Sequence, residues 1–140
     1  MSIWKKRLEV QELQRFCANT LVSHLGIEFV EVGADFLRAR LPVDSRTVQP
    51  VRLLHGGASV ALAETLGSMA GSLCVDLDEQ HVVGLEINAN HVRGVKGGFV
   101  LGTARPLHLG RRTQLWEIRI EDEEENLVCV SRLTLAVLER

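Results

Sequence analysis

Between His55 and Cys74 the chain runs HGGASVALAETLGSMAGSLC, twenty residues in which Glu64 carries the only charge. Val60, Ala61, Leu62, Ala63, Leu66, Met69, Ala70 and Leu73 make this segment apolar almost all round, so it reads as a helix that the rest of the chain must surround. A carboxylate inside such a helix is costly, because a desolvated Glu loses its hydration unless a partner or a reaction uses its charge. Any functional site should be built around Glu64. The plain alternative is a Glu bonded to a buried arginine or to backbone.

The flanks supply the material to surround it. Residues Leu8 to His24 space Leu8, Leu13, Phe16, Leu21 and Leu25 as an amphipathic helix would, with Gly26 as its stop. Ile27–Val32 and Phe36–Leu41 alternate as strands joined by Gly33-Ala34-Asp35, a hairpin turn; Pro42–Leu53 reads as an irregular loop. Four strands are predicted after the helix: His81–Arg93, Phe99–Arg105, Thr113–Glu121 and Leu127–Leu138. Their short separators favour an antiparallel meander. In the first of them Val83, Leu85, Ile87 and Ala89 share one face, opposite Gly84, Glu86, Asn88 and Asn90. The expected architecture is α+β, an antiparallel sheet wrapped around a long central helix. Gly67, Ser68, Gly71 and Ser72 form a small-residue stripe open to close backbone approach. Edge strands of such a sheet need protection, which a second copy could provide.

At 140 residues the chain has the size of one domain, 1–140. A formal charge of −2 gives no reason to expect nucleic acid or an acidic membrane as partner. Cys17, Cys74 and Cys129 are odd in number and widely spaced, which argues against a disulfide framework and for reduced thiols in the cytoplasm. No secretory signal is visible in MSIWKKRLEVQEL, and the Glu64 run is broken by Gly, Ser and Thr, so a membrane span is not expected.

The chemistry lies at the start of the run. His55-Gly56-Gly57 sits where loop becomes helix, so the first amides point outward, unpaired, at the positive end of the dipole. A carbonyl placed there would be polarised and its oxyanion stabilised; the bland reading is that the glycines merely permit a tight turn. Glu64 follows Gly56 by eight residues, about 12 Å along a helix, too far for one chain to bring both to one carbonyl. Antiparallel helices from two chains would bring Gly56 of one to Glu64 of the other, which points to an active dimer. Ser68, one turn beyond Glu64, could hold a water beside it. Gln49 and His55 flank the helix start, where they could orient a thioester or simply face solvent. Arg93 and Lys96, then Arg105, His108, Arg111 and Arg112, occupy two turns that a meander could bring together to bind phosphates. His81, His91 and His108 fall on different segments without a carboxylate cluster, so no metal site is expected. No nucleophile elbow, phosphate loop or dinucleotide fingerprint occurs.

PVDSRTVQP (Pro42–Pro50), LLHGGASVALAE (Leu53–Glu64), GLEINANHVR (Gly84–Arg93) and PLHLG (Pro106–Gly110) resemble the hotdog-fold acyl-CoA thioesterases of the 4-hydroxybenzoyl-CoA thioesterase type, over nearly the whole chain. The resemblance implies a hotdog fold and hydrolysis of acyl- or aroyl-CoA thioesters, 1,4-dihydroxy-2-naphthoyl-CoA of menaquinone synthesis among them. No cofactor is implied, since CoA belongs to the substrate, and a homo-oligomer is, a dimer of dimers. Carried over by motif, Glu64 is the catalytic carboxylate, Gly56 N–H the carbonyl polariser, Gln49 and His55 the positioners and Ser68 the water holder. Gly84, His91, Val92, Arg93 and Gly94, with His108, Leu109, Gly110, Arg111, Arg112 and Thr113, would meet the CoA moiety. Two rival readings are a hotdog dehydratase or hydratase, whose helix pattern is absent here, and a non-catalytic acyl-CoA binding protein in which Glu64 only bonds its neighbours.

Overall fold

The computed structural model describes all 140 residues. In chain order the elements are α1 (Val10–Phe16), α2 (Leu21–His24), β1 (Glu28–Val32), β2 (Leu37–Pro42), α3 (Gly56–Leu73), β3 (Gln80–His91), β4 (Phe99–Leu109), β5 (Thr113–Glu121) and β6 (Leu127–Glu139). The strands form one antiparallel sheet in the order β1-β2-β4-β5-β6-β3. α3 lies across its inner face.

Alternation along the strands decides which face is inner. Leu37, Ala39 and Leu41, then Val100 and Ala104, Trp116, Ile118 and Ile120, and Leu133 and Leu135 are all buried, while Arg38, Arg105, Arg119 and Arg132 point the other way. Leu62, Ala63, Leu66, Ala70 and Leu73 of α3 close this core from the other side. The helix sits low on the sheet because Gly67 and Gly71 face β6. A Cβ at 67 would come within 2.5 Å of Leu133 Cδ2, and one at 71 would collide with Leu135 and stand 2.6 Å from Gln114 Oε1. Gln114, itself buried, donates to the Gly71 carbonyl at 3.3 Å and accepts from Trp116 Nε1 at 2.9 Å, so the close contact is also a satisfied polar one.

Four expectations change. The segment Leu8–His24 is two short helices rather than one: Asn19 takes a left-handed φ of 60°, and Thr20 then caps α2 through its side chain. Only β4, β5 and β6 form a meander. β3 lies beyond β6, and the connection from Val92 to Gly98, seven residues reaching about 23 Å, easily spans the roughly 14 Å across three strand spacings to β4. The alternation in β3 is interrupted by a bulge between Gly84 and Glu86, so Val82, Ile87 and Ala89 face the core while Val83 and Leu85 are exposed. Finally, α3 is not surrounded within one chain. Ala61, Thr65, Ser68 and Ser72 remain half-buried on the side away from the sheet, and Val60, Glu64 and Met69 are half-buried at its margins, Glu64 against β3 and Met69 against the core. Of the small-residue stripe, Gly67 and Gly71 meet the sheet, whereas Ser68 and Ser72 lie on this half-open side.

The three cysteines are free, and burial raises each thiol, Cys74 to about 11, so all stay protonated at neutral pH. No helix is long and apolar enough to cross a membrane.

Gly71→Val tests the helix–sheet contact. The added side chain must displace Leu135 and Gln114, so we expect about 2 kcal/mol or more of lost stability by urea denaturation, against a change within about 0.5 kcal/mol for Ser72→Ala on the open side.

Candidate active site

His55 builds the start of α3. Its backbone is extended (φ −69°, ψ 129°), its Nδ1 accepts from Gly57 N–H at 2.8 Å, and its carbonyl takes Ala58 N–H at 2.9 Å and Ser59 N–H at 3.2 Å. Gly56 N–H is therefore the one amide of the first turn left without an acceptor. Because Nδ1 accepts, the proton of the neutral ring sits on Nε2. His55, expected to position a substrate, is seen to cap the helix and leave a single donor pointing out.

Gln49 is held just as firmly. Its N–H donates to Leu53 carbonyl at 2.9 Å, its carbonyl accepts from Arg52 N–H at 2.8 Å, and its side-chain Oε1 accepts from Val51 N–H at 2.5 Å. Nε2 is then the end of the amide free to donate to a ligand. A cavity of about 420 Å³ opens here and gathers Gln49, Gly56, His91, Val92, Arg93 and Gly94, residues that come from three separate stretches of sequence. His91 Nε2 occupies the space beside Gly56, 2.9 Å from where a Cβ would stand. Glycine at 56 thus keeps both the amide and the imidazole accessible. Buried Ser59 and Val128 also line the cavity and escaped the sequence reading. The available signal for Ser59 was its place one turn after Gly56 on an otherwise apolar face.

Glu64 lies outside this cavity, as its spacing from Gly56 requires. It is half-buried rather than enclosed and makes no ion pair or hydrogen bond within the chain, which removes the reading of a Glu held by an arginine or by backbone. Its Oε2 rests against β3, 2.7 Å from where a Gly84 Cβ would be. Any larger residue at 84 would push the carboxylate aside. Ser68 shares the half-open face; its carbonyl accepts from Ser72 Oγ at 2.9 Å, and its own hydroxyl has no partner.

The two basic turns do not converge within one chain. Arg93 follows the end of β3 beside Asp122, whereas Arg111 and Arg112 flank a separate cavity of about 560 Å³ with Ala136–Glu139. About ten residues of β6, roughly 30 Å, lie between them. The turn after Leu109 is closed by Gly110 N–H to the Thr113 carbonyl at 2.9 Å, with the His108 ring packed over Gly110. Arg105 is engaged elsewhere, with Asp35 at 3.2 Å and over the Phe36 ring at 4.7 Å. Lys96 is exposed.

An antiparallel sheet around one helix, with a free amide at the helix start and an unpaired carboxylate two turns on, defines a hotdog-fold thioester hydrolase. The chain belongs to the thioesterase superfamily, whose family model matches residues 52–129. It is 54% identical to the 1,4-dihydroxy-2-naphthoyl-CoA hydrolase of Escherichia coli K12, over 97% of this chain and 99% of that protein. It is 55% identical to the proofreading thioesterase EntH of Cronobacter turicensis, over 97% of this chain and 98% of that one. Among solved structures, thioesterase HI1161 of Haemophilus influenzae superposes with a TM-score of 0.95 at 54% identity, covering 98% of this chain and 95% of its own. A mutant thioesterase of Pseudomonas aeruginosa superposes at 0.98 with 47% identity, covering 99% and 100%.

The free amide can be deleted without breaking the helix, because proline is well tolerated at the first helical position. Gly56→Pro should lower kcat on a thioester about 100- to 1,000-fold with an unchanged circular dichroism spectrum. Gly56→Ala keeps the amide and crowds only His91, so it should lose far less; equal losses would remove the amide from catalysis.

Proposed function

We propose that this chain hydrolyses acyl- or aroyl-CoA thioesters in the cytosol, with each site shared between two copies. The observation that carries this reading is the separation of the two reactive groups: the free Gly56 amide and the unpaired Glu64 carboxylate sit on one helix about 12 Å apart. β3 offers the means of joining two chains. It is a twelve-residue edge strand whose outer side has no partner, next to the half-open face of α3. Antiparallel pairing of two β3 strands about a two-fold axis near Ile87 and Asn88 places Gly84 of one copy opposite His91 of the other. Since Glu64 rests on Gly84 and His91 stands beside Gly56, the same pairing brings carboxylate and amide together, twice per dimer. Two such dimers then make the tetramer that the resemblance implies.

In this arrangement the thioester carbonyl accepts from Gly56 N–H, with Gln49 Nε2 as a further donor, and Glu64 of the second copy faces the carbonyl carbon. Glu64 either attacks, expelling the CoA thiolate and leaving an anhydride for water to cleave, or removes a proton from a water held near Ser68. A rapid-quench burst of CoA distinguishes the first route. The reaction calls on no cofactor, CoA being part of the substrate. In this reading a nucleotide's phosphates pair with Arg93 of one copy or with Arg111 and Arg112 of another, since the two turns lie apart in a single chain. One relative narrows the candidates: 1,4-dihydroxy-2-naphthoyl-CoA, from the Escherichia coli hydrolase, is the first ester to assay, with benzoyl-CoA as a simpler aroyl thioester beside it.

Glu64→Gln should reduce CoA release at least 1,000-fold while leaving the oligomer intact by size-exclusion chromatography. Sharing of the site has its own test. Glu64→Ala and Gly56→Pro chains, each inactive alone, should regain about a quarter of wild-type activity when refolded together in equal amounts, because half the dimers are mixed and each holds one intact site. No recovery would place both groups in one chain's site and overturn the shared arrangement.

A further inference from the structure

We propose that Ser59 is a specificity residue that hydrogen-bonds an oxygen substituent on the acyl group, at the carbon β to the thioester carbonyl. This rests on the thioesterase reading above and concerns the other side of the same carbonyl. Ser59 is 1% exposed, yet it lines the cavity that contains Gly56. Its hydroxyl has no hydrogen-bond partner in the chain. The contrast with Ser72 is direct: that hydroxyl satisfies itself by donating back to the Ser68 carbonyl at 2.9 Å, the usual resort of a helical serine. Ser59 does not do so, although its own N–H bonds the His55 carbonyl one turn earlier at 3.2 Å. The hydroxyl instead opens onto the cavity, where an oxygen of a bound ligand can pair with it.

The cavity also has a direction. Val92, Arg93 and Gly94 at one end are exposed, while Ser59 and Val128 at the other are buried. CoA is large and charged, so its arm must leave through the open end, and the acyl group must occupy the closed one. Ser59 lies three residues after Gly56, about 4.5 Å deeper along the axis and on nearly the same face. With the carbonyl oxygen on Gly56 N–H, that depth is level with an oxygen on the β carbon, as in a 2-hydroxybenzoyl or 3-hydroxyacyl group. A hydroxyl-reading site discriminates strongly, because the wrong substrate leaves its buried partner unpaired.

The measurement is a ratio. kcat/KM is determined for 2-hydroxybenzoyl-CoA and benzoyl-CoA, and for 3-hydroxybutyryl-CoA and butyryl-CoA, with wild-type enzyme and with Ser59→Ala. The wild type should prefer the oxygenated member of at least one pair, and Ser59→Ala should reduce that preference tenfold or more. Ser59→Cys, which keeps the volume but is a weak donor, should behave like Ser59→Ala. A wild type without preference, or a preference that survives both substitutions, overturns the assignment. Failure of the thioesterase reading looks different: no CoA would be released from any of the four esters.

Discussion

The close seating of α3 on the sheet is the contact on which the rest depends. Gly67 and Gly71 let the helix backbone reach Leu133 and Leu135, and Gln114 ties the Gly71 carbonyl down in the dry core. Once the C-terminal half of the helix is fixed there, its N-terminal end is delivered beside the end of β3, where His91 waits. The middle of the helix carries Glu64 out to Gly84 by the same geometry. Helix rise sets the distance between amide and carboxylate, and packing decides which strand residues stand beside each.

Electrostatics at the helix start then follow from one residue. His55 spends its ring nitrogen and its carbonyl on the next three donors, concentrating the unpaired partial charge of the helix on Gly56. Gln49, locked by its own turn, adds an outward-facing donor. The cavity is thus lined by hydrogen-bond donors before any substrate arrives, which is the pre-organisation that acyl transfer needs. Glu64, left without a partner, is the complementary piece: an acceptor with nothing in its own chain to accept from.

Glu64, Gly56, His55, Gln49 and Ser68 stand out as candidates in the sequence because they lie on or beside one conspicuous helix with fixed spacing. Strand existence was legible too, and Thr113–Glu121 begins and ends where alternation places it. The order of the strands was not, since a connection of seven residues can serve a neighbour or a strand three places away. The faces of β3 were misread up to the bulge: the extra residue at Leu85 leaves Val83 and Leu85 exposed and Gly84 against Glu64, whereas Ile87 and Ala89 pack on the core where alternation puts them. The two basic turns were drawn together by a four-strand meander that the sheet does not have. Ser59 went unnoticed because a serine among alanines looks like filler until its surroundings are known.

What the sequence by itself determined is the chemistry available: a single carboxylate in an apolar helix, a glycine amide eight residues before it, and a spacing that forbids one chain from using both at once. These are local facts, governed by helix rise and by the cost of burying charge. The tertiary structure alone decided which donors stay free, which residues stand beside them, and that β3 is an edge strand without a partner on its outer side. Those depend on strand order and register, which arise from contacts between residues far apart in sequence and are invisible to any local pattern.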